Sequence, residues 1–116
     1  MLYHVKKLAE VNIQAECYHQ LRLLGIKTCL EYKTRTADGQ GCQFDMVVLK
    51  ELEYNQYEII AIVEFKNHKK EYDFIEAMKT KQYYKYSSFG IPLIYCRRRE
   101  ELQSTVDKIV QLINNN

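Results

Sequence analysis

Apolar positions recur at helical spacing along the first part of the chain. From Val5 to Leu24 the side chains of Ile13, Cys17, Leu21 and Leu24 fall on one stripe, and Gly25 offers a stop. Two strand-length runs follow, Ile26 to Lys33 and Cys42 to Leu49. They are joined by Ala37-Asp38-Gly39-Gln40-Gly41, where Asp-Gly favours positive φ. A polar turn from Glu51 to Gln56 leads into Ile59-Ile60-Ala61-Ile62-Val63-Glu64-Phe65-Lys66. So continuous an apolar run suits a central strand covered on both faces. Tyr72 to Tyr86 predicts a second helix with the stripe Ile75, Met78, Gln82 and Tyr86, ended by Phe89-Gly90-Ile91-Pro92. Leu93 to Cys96 is a short buried strand. Glu100 to Ile113 is a last helix that packs through Leu102, Val106, Ile109, Val110 and Ile113.

The predicted order is therefore α-β-β-β-α-β-α. Short turns make the first three strands an antiparallel meander, and the crossover helix sets the fourth strand parallel to the third with a right-handed connection. The expected fold is α/β: a mixed four-stranded sheet with helices on both faces, forming a single domain over residues 1–116.

Several polar residues do not fit this pattern. Asp45 stands in the middle of the second strand, where aspartate is disfavoured. Glu64 and Lys66 alternate with Ile60 and Ile62 and so share their face in a regular strand. Glu16 lies along the apolar stripe of the first helix, and Gln82 interrupts that of the second. Burying such groups is costly unless they are paired. Neighbouring antiparallel strands can bring Asp45 and Glu64 together, and a first helix packed on that face adds Glu16. Three crowded carboxylates repel unless a cation sits between them, and oxygen donors of this kind suit Mg²⁺ or Mn²⁺. Such an ion activates water and stabilises charge on a phosphoryl group, and Lys66 stands where it can orient or deprotonate that water. The reaction class implied is phosphodiester hydrolysis.

Composition narrows the setting. The 17 basic and 15 acidic residues leave a net charge of only +2, so nucleic-acid contact requires a local patch. Cys17, Cys29, Cys42 and Cys96 form no C-x-x-C pair, and without a secretory signal they read as reduced thiols. His4, His19 and His68 show no ligand spacing. No apolar run approaches a membrane span, so a cytoplasmic protein without membrane contact is expected.

Asp45 followed on the next strand by Glu64-Phe65-Lys66 resembles the D…(D/E)-x-K signature of the PD-(D/E)xK nuclease superfamily. The element order resembles its common core over nearly the whole chain, although Phe44 stands where the signature often has proline. Gln82-Tyr83-Tyr84-Lys85-Tyr86 is similar to the Q-x-x-x-Y helix motif of RecB-like members. Ser88-Phe89-Gly90-Ile91-Pro92 before a strand resembles archaeal Holliday-junction resolvases. The resemblance implies a restriction-endonuclease-like three-layer sandwich. By the same resemblance Asp45 and Glu64 are metal ligands with the Phe65 carbonyl, Glu16 is the first-helix acid, Lys66 is the catalytic lysine and Gln82 belongs to the site. The activity implied is a Mg²⁺-dependent (or Mn²⁺-dependent) DNA endonuclease, selective for structures such as junctions.

Lys69, Lys70, Lys79, Lys81 and Lys85 follow the site strand or lie on the second helix. Arg97, Arg98 and Arg99 leave the sheet at the same end as Lys66. They form a candidate cationic rim for phosphates, led by Lys69, Lys70, Lys85, Arg97 and Arg98. So small a domain covers little DNA, which favours a homodimer or a subunit of a larger DNA-processing assembly. The competing reading is a catalytically idle nucleic-acid-binding or interaction module on the same fold.

Overall fold

The computed structural model describes residues 1–2, 5–67, 74–76, 79 and 81–115. Among these, helix α1 (Val5–Leu23) precedes strands β1 (Lys27–Arg35), β2 (Gly41–Glu51) and β3 (Tyr57–Phe65). Helix α2 (Lys81–Ser87), strand β4 (Leu93–Cys96) and helix α3 (Leu102–Asn114) complete the order. Single 3₁₀ turns at Glu53–Asn55 and Arg99–Glu101 lead into β3 and α3. The sheet runs β1-β2-β3-β4, antiparallel except for the β3–β4 pair. This is the mixed α/β sheet that the apolar pattern predicts.

Each element follows from local chemistry. Helix α1 ends at Gly25, whose φ of +77° costs glycine nothing and whose N–H bonds the Arg22 carbonyl. The β1–β2 hairpin closes through a 2.8 Å bond from the Thr36 N–H to the Gln40 carbonyl, with Gly39 at φ +90°. Strand β3 is central, and from Ile60 to Phe65 every residue is buried. Fully burying one such Ile or Val contributes about 1.5–3 kcal/mol. Helix α3 buries Leu102, Thr105, Val106 and Ile109, spaced to form one stripe.

The two faces carry separate cores. Helices α1 and α3 cover one face, where Ile13, Cys17 and Leu21 meet Met46, Val48, Ala61, Val63, Phe65 and Ile109. Helix α2 covers the other, where Tyr86 packs with Phe44, Val47 and Ile62. Phe44 holds this helix in place: its ring meets Tyr86 edge-on at 4.8 Å and Phe89 at 5.3 Å.

Three expectations need correction. Ile60 does not share a face with Ile62. Val48 pairs with Ala61 and Leu49 with Ile59, so Ile60 is the extra residue of a bulge and joins the α1–α3 core. Leu24, expected on the buried stripe of α1, is 58% exposed because the helix has already ended. In the expected second helix, residues 74–76 and Lys81–Ser87 are helical, but Ile75 of its stripe is exposed; Met78 lies outside the described residues. No helix among the described residues is long and apolar enough to cross a membrane.

Candidate metal and catalytic centre

The β2–β3 ladder ends at the pair Met46–Val63, and beyond it the strands part. The backbone N–H groups released there need acceptors. The Asp45 N–H donates to Glu64 Oε2 at 2.6 Å, and the Phe65 N–H donates to Asp45 Oδ2 at 2.8 Å. Two carboxylates thus replace the missing carbonyls and are drawn together into the mouth of the fork. Within a strand the C=O of a residue points to the same edge as its N–H, which turns the Phe65 carbonyl toward Asp45.

The electrostatics follow from this crowding. Glu64 is only 2% exposed. Burial and then the neighbouring Asp45 push its carboxyl up to about 8, against the pull of the Asp45 N–H and of Lys66. Asp45 is also raised, by burial first and by Glu31, while the Phe65 N–H, Lys66 and Lys7 pull it down. Both carboxyls are thus raised, and the pair titrates jointly.

Lys66 leaves β3 one residue past the strand, half-buried, and its N–H bonds the Cys96 carbonyl of β4 at 2.9 Å. Its Nζ donates to Gln82 Oε1 at 3.3 Å. Gln82 Nε2 donates to the Tyr86 hydroxyl at 3.2 Å, and that hydroxyl donates to the Gln43 carbonyl at 2.6 Å. A chain of hydrogen bonds therefore runs from the site lysine across α2 to β2. The one-turn spacing of Gln82 and Tyr86 on a helix makes this relay.

Comparison with protein-family models, with curated proteins and with solved structures finds no match to this chain. The reading of the site therefore stands on its residues.

Asp45, Glu64, Lys66 and Gln82 are brought together, with Phe65 between Glu64 and Lys66 in the chain. Glu16 is engaged by an arginine: its Oε1 accepts a 2.6 Å bond from Arg99 Nη1. Among the described residues no group of three or more His, Cys, Asp and Glu side chains is placed to hold a metal ion.

The expected cationic rim is also largely committed. Arg97 donates to Glu101 through both its backbone N–H (2.8 Å) and its Nε (2.6 Å), and its guanidinium lies 5.0 Å from the centre of the Phe74 ring. Arg98 lies 3.9 Å from the same Glu101 carboxylate. Lys85 donates to the Gly41 carbonyl and clips α2 to the hairpin. Lys69 and Lys70 lie outside the described residues. Sequence reasoning missed Gln14, Glu31 and Gln43, which surround Asp45. The available signal was Gln14, a polar residue next to Ile13 on the buried stripe.

Proposed function

We propose that this protein is a metal-dependent DNA endonuclease of the PD-(D/E)xK type, with the three-layer sandwich of that superfamily. The observation that carries the reading is the meeting of Asp45 and Glu64 at the strand fork, with Lys66 beside them on Gln82.

The donor set fits a hard divalent cation. Two carboxylates and the Phe65 carbonyl are all oxygen donors, and Mg²⁺ sites typically use one or two carboxylates plus water and substrate phosphate. Asp45, Glu64 and Phe65 would hold Mg²⁺ or Mn²⁺. A bound ion would supply an activated water and neutralise charge on the phosphoryl oxygens. The crowding of Asp45 and Glu64 supports this, because a cation relieves their repulsion.

The chain's own residues do the rest. Asp45 and Glu64 are fixed by backbone N–H donors, so their free oxygens are pre-aimed. Lys66, steered by Gln82, would orient a water or offset charge developing on a phosphodiester. Tyr86 holds Gln82 in turn. Glu16 in this reading is an outer residue tied to Arg99. DNA is the proposed substrate, acted on by a homodimer or a subunit of a DNA-processing assembly.

The test offers plasmid, linear duplex, single-stranded and four-way-junction DNA to the purified protein with Mg²⁺ or Mn²⁺. The reading expects cutting of at least one substrate that is lost in Asp45→Ala and Lys66→Ala. Cutting of none, or equal cutting by the variants, removes it in favour of an idle binding module.

A further inference from the structure

The β1–β2 ladder is broken at one place, directly beside Asp45. Its register passes from Leu30–Met46 to Tyr32–Phe44 and skips Glu31 and Asp45. Glu31 there takes φ +52°, a left-handed conformation that a glutamate adopts only when something holds it. The side-chain alternation slips on both strands at this point. Leu30 and Tyr32, two residues apart, lie on opposite faces, while Phe44 and Val47, three apart, lie on the same face.

What holds it is a buried glutamine from α1. Gln14 is 9% exposed, and its Nε2 donates to Glu31 Oε1 at 3.1 Å and to the Asp45 carbonyl at 3.2 Å. The other Glu31 oxygen accepts from Gln43 Nε2. The Gln43 carbonyl in turn receives the Tyr86 hydroxyl, which closes the path to Gln82 and Lys66. An exposed carboxylate with both oxygens bound, in a strained backbone, beside a skipped pair, is more structure than a solvated strand requires.

We infer that Gln14 and Glu31 form a positioning pair that opens the sheet at Asp45 and directs its carboxylate onto the Phe65 N–H. With a regular Glu31–Asp45 pair, side-chain alternation on β2 would continue unbroken and the Asp45 carboxylate would not be turned into the fork. Gln14 anchors the opened backbone to α1, and Glu31 keeps Gln14 and Gln43 in place. Neither touches the reacting atoms. The inference rests on the nuclease reading only for its consequence on catalysis; the geometry at Phe65 stands without it.

The test is amide hydrogen exchange by NMR on Gln14→Leu, Glu31→Gly and Glu31→Gln, with DNA cleavage as a second arm. Glycine tolerates the left-handed backbone, so Glu31→Gly removes the carboxylate without adding strain. Exchange of the Phe65 amide is expected to rise about tenfold in Gln14→Leu and Glu31→Gly, as for loss of one hydrogen bond to a charged acceptor. The amides of Ile62 and Val63 should keep their protection, and Glu31→Gln, which retains an acceptor, should restore most of it at Phe65. In the cleavage arm kcat falls and KM holds. Unchanged protection at Phe65 in both variants overturns the proposal. So does uniform acceleration throughout β2 and β3, which would make the pair merely structural. If the wild type cuts no DNA, the nuclease reading falls while the exchange data still judge the positioning pair.

Discussion

Asp45 and Glu64 are bound to each other's strands: the Asp45 N–H donates to the Glu64 carboxylate, and the Asp45 carboxylate accepts from Phe65, the residue after Glu64. Side chains have taken over the ladder where the backbones part. An acid on each of the two strands is thereby held to a fixed direction across the fork, and the same bonds leave both acids short of water.

This makes stability depend on pH in a specific sense. Burial and Asp45 raise the Glu64 carboxyl from its ordinary 4.5 to about 8, with Lys66 opposing and Tyr86 and Tyr95 also facing it. The native state keeps a proton that the unfolded chain gives up above about pH 4.5, so this contribution is full below that pH and is lost as pH rises through about 8. Thermal melts of metal-free protein should show falling stability across this window. Glu64→Gln should flatten the slope; an unchanged slope would place the titration elsewhere.

Lys66→Met should lower the cleavage rate by about 100- to 10,000-fold, the range for loss of a proton-transfer group. The melting temperature should change little, because the side chain is half-buried and its described bond to Gln82 is long, at 3.3 Å. Rate measurements at saturating DNA, alongside melts, separate a catalytic lysine from a structural one.

Glu101→Gln tests where the arginines belong. Glu101 binds Arg97 and Arg98 at 18% side-chain exposure, so breaking the arrangement should cost about 1–3 kcal/mol. The released guanidinium charge should tighten DNA binding and steepen its salt dependence. Filter binding at several salt concentrations reads this, and unchanged affinity would mean that the arginines do not face the substrate.

Glu16→Ala should be mild. Its pair with Arg99 has side-chain exposures of 38% and 65%, and solvent screening limits it to about 0–1 kcal/mol. Cleavage should fall far less than in Asp45→Ala. An equal loss in the two variants would return Glu16 to the centre.

Much of this architecture is legible in the sequence. The apolar run before Glu64 could only be a covered central strand, and Asp45, Glu64, Lys66 and Gln82 stood out because each was polar where the pattern asked for apolar. What could not be read were departures from regular geometry. The bulge that turns Ile60 to the other face leaves no mark in residue type. The left-handed Glu31 is equally silent, since glutamate does not favour that conformation. The ion pairs of Glu16 and the arginines could not be read for another reason: long charged side chains choose partners within reach. Arg97 and Glu101, four residues apart, carried that signal in the sequence.

The central claim is that Asp45 and Glu64 hold a divalent cation. It is tested most directly by calorimetric titration of Mn²⁺ into the wild type, Asp45→Asn and Glu64→Gln at about pH 7 and pH 8.5, spanning the Glu64 transition. The account predicts saturable binding by the wild type, tighter at the higher pH as protons cease to compete, and lost in both variants. Binding that is absent from the wild type, or that survives in both variants, contradicts it.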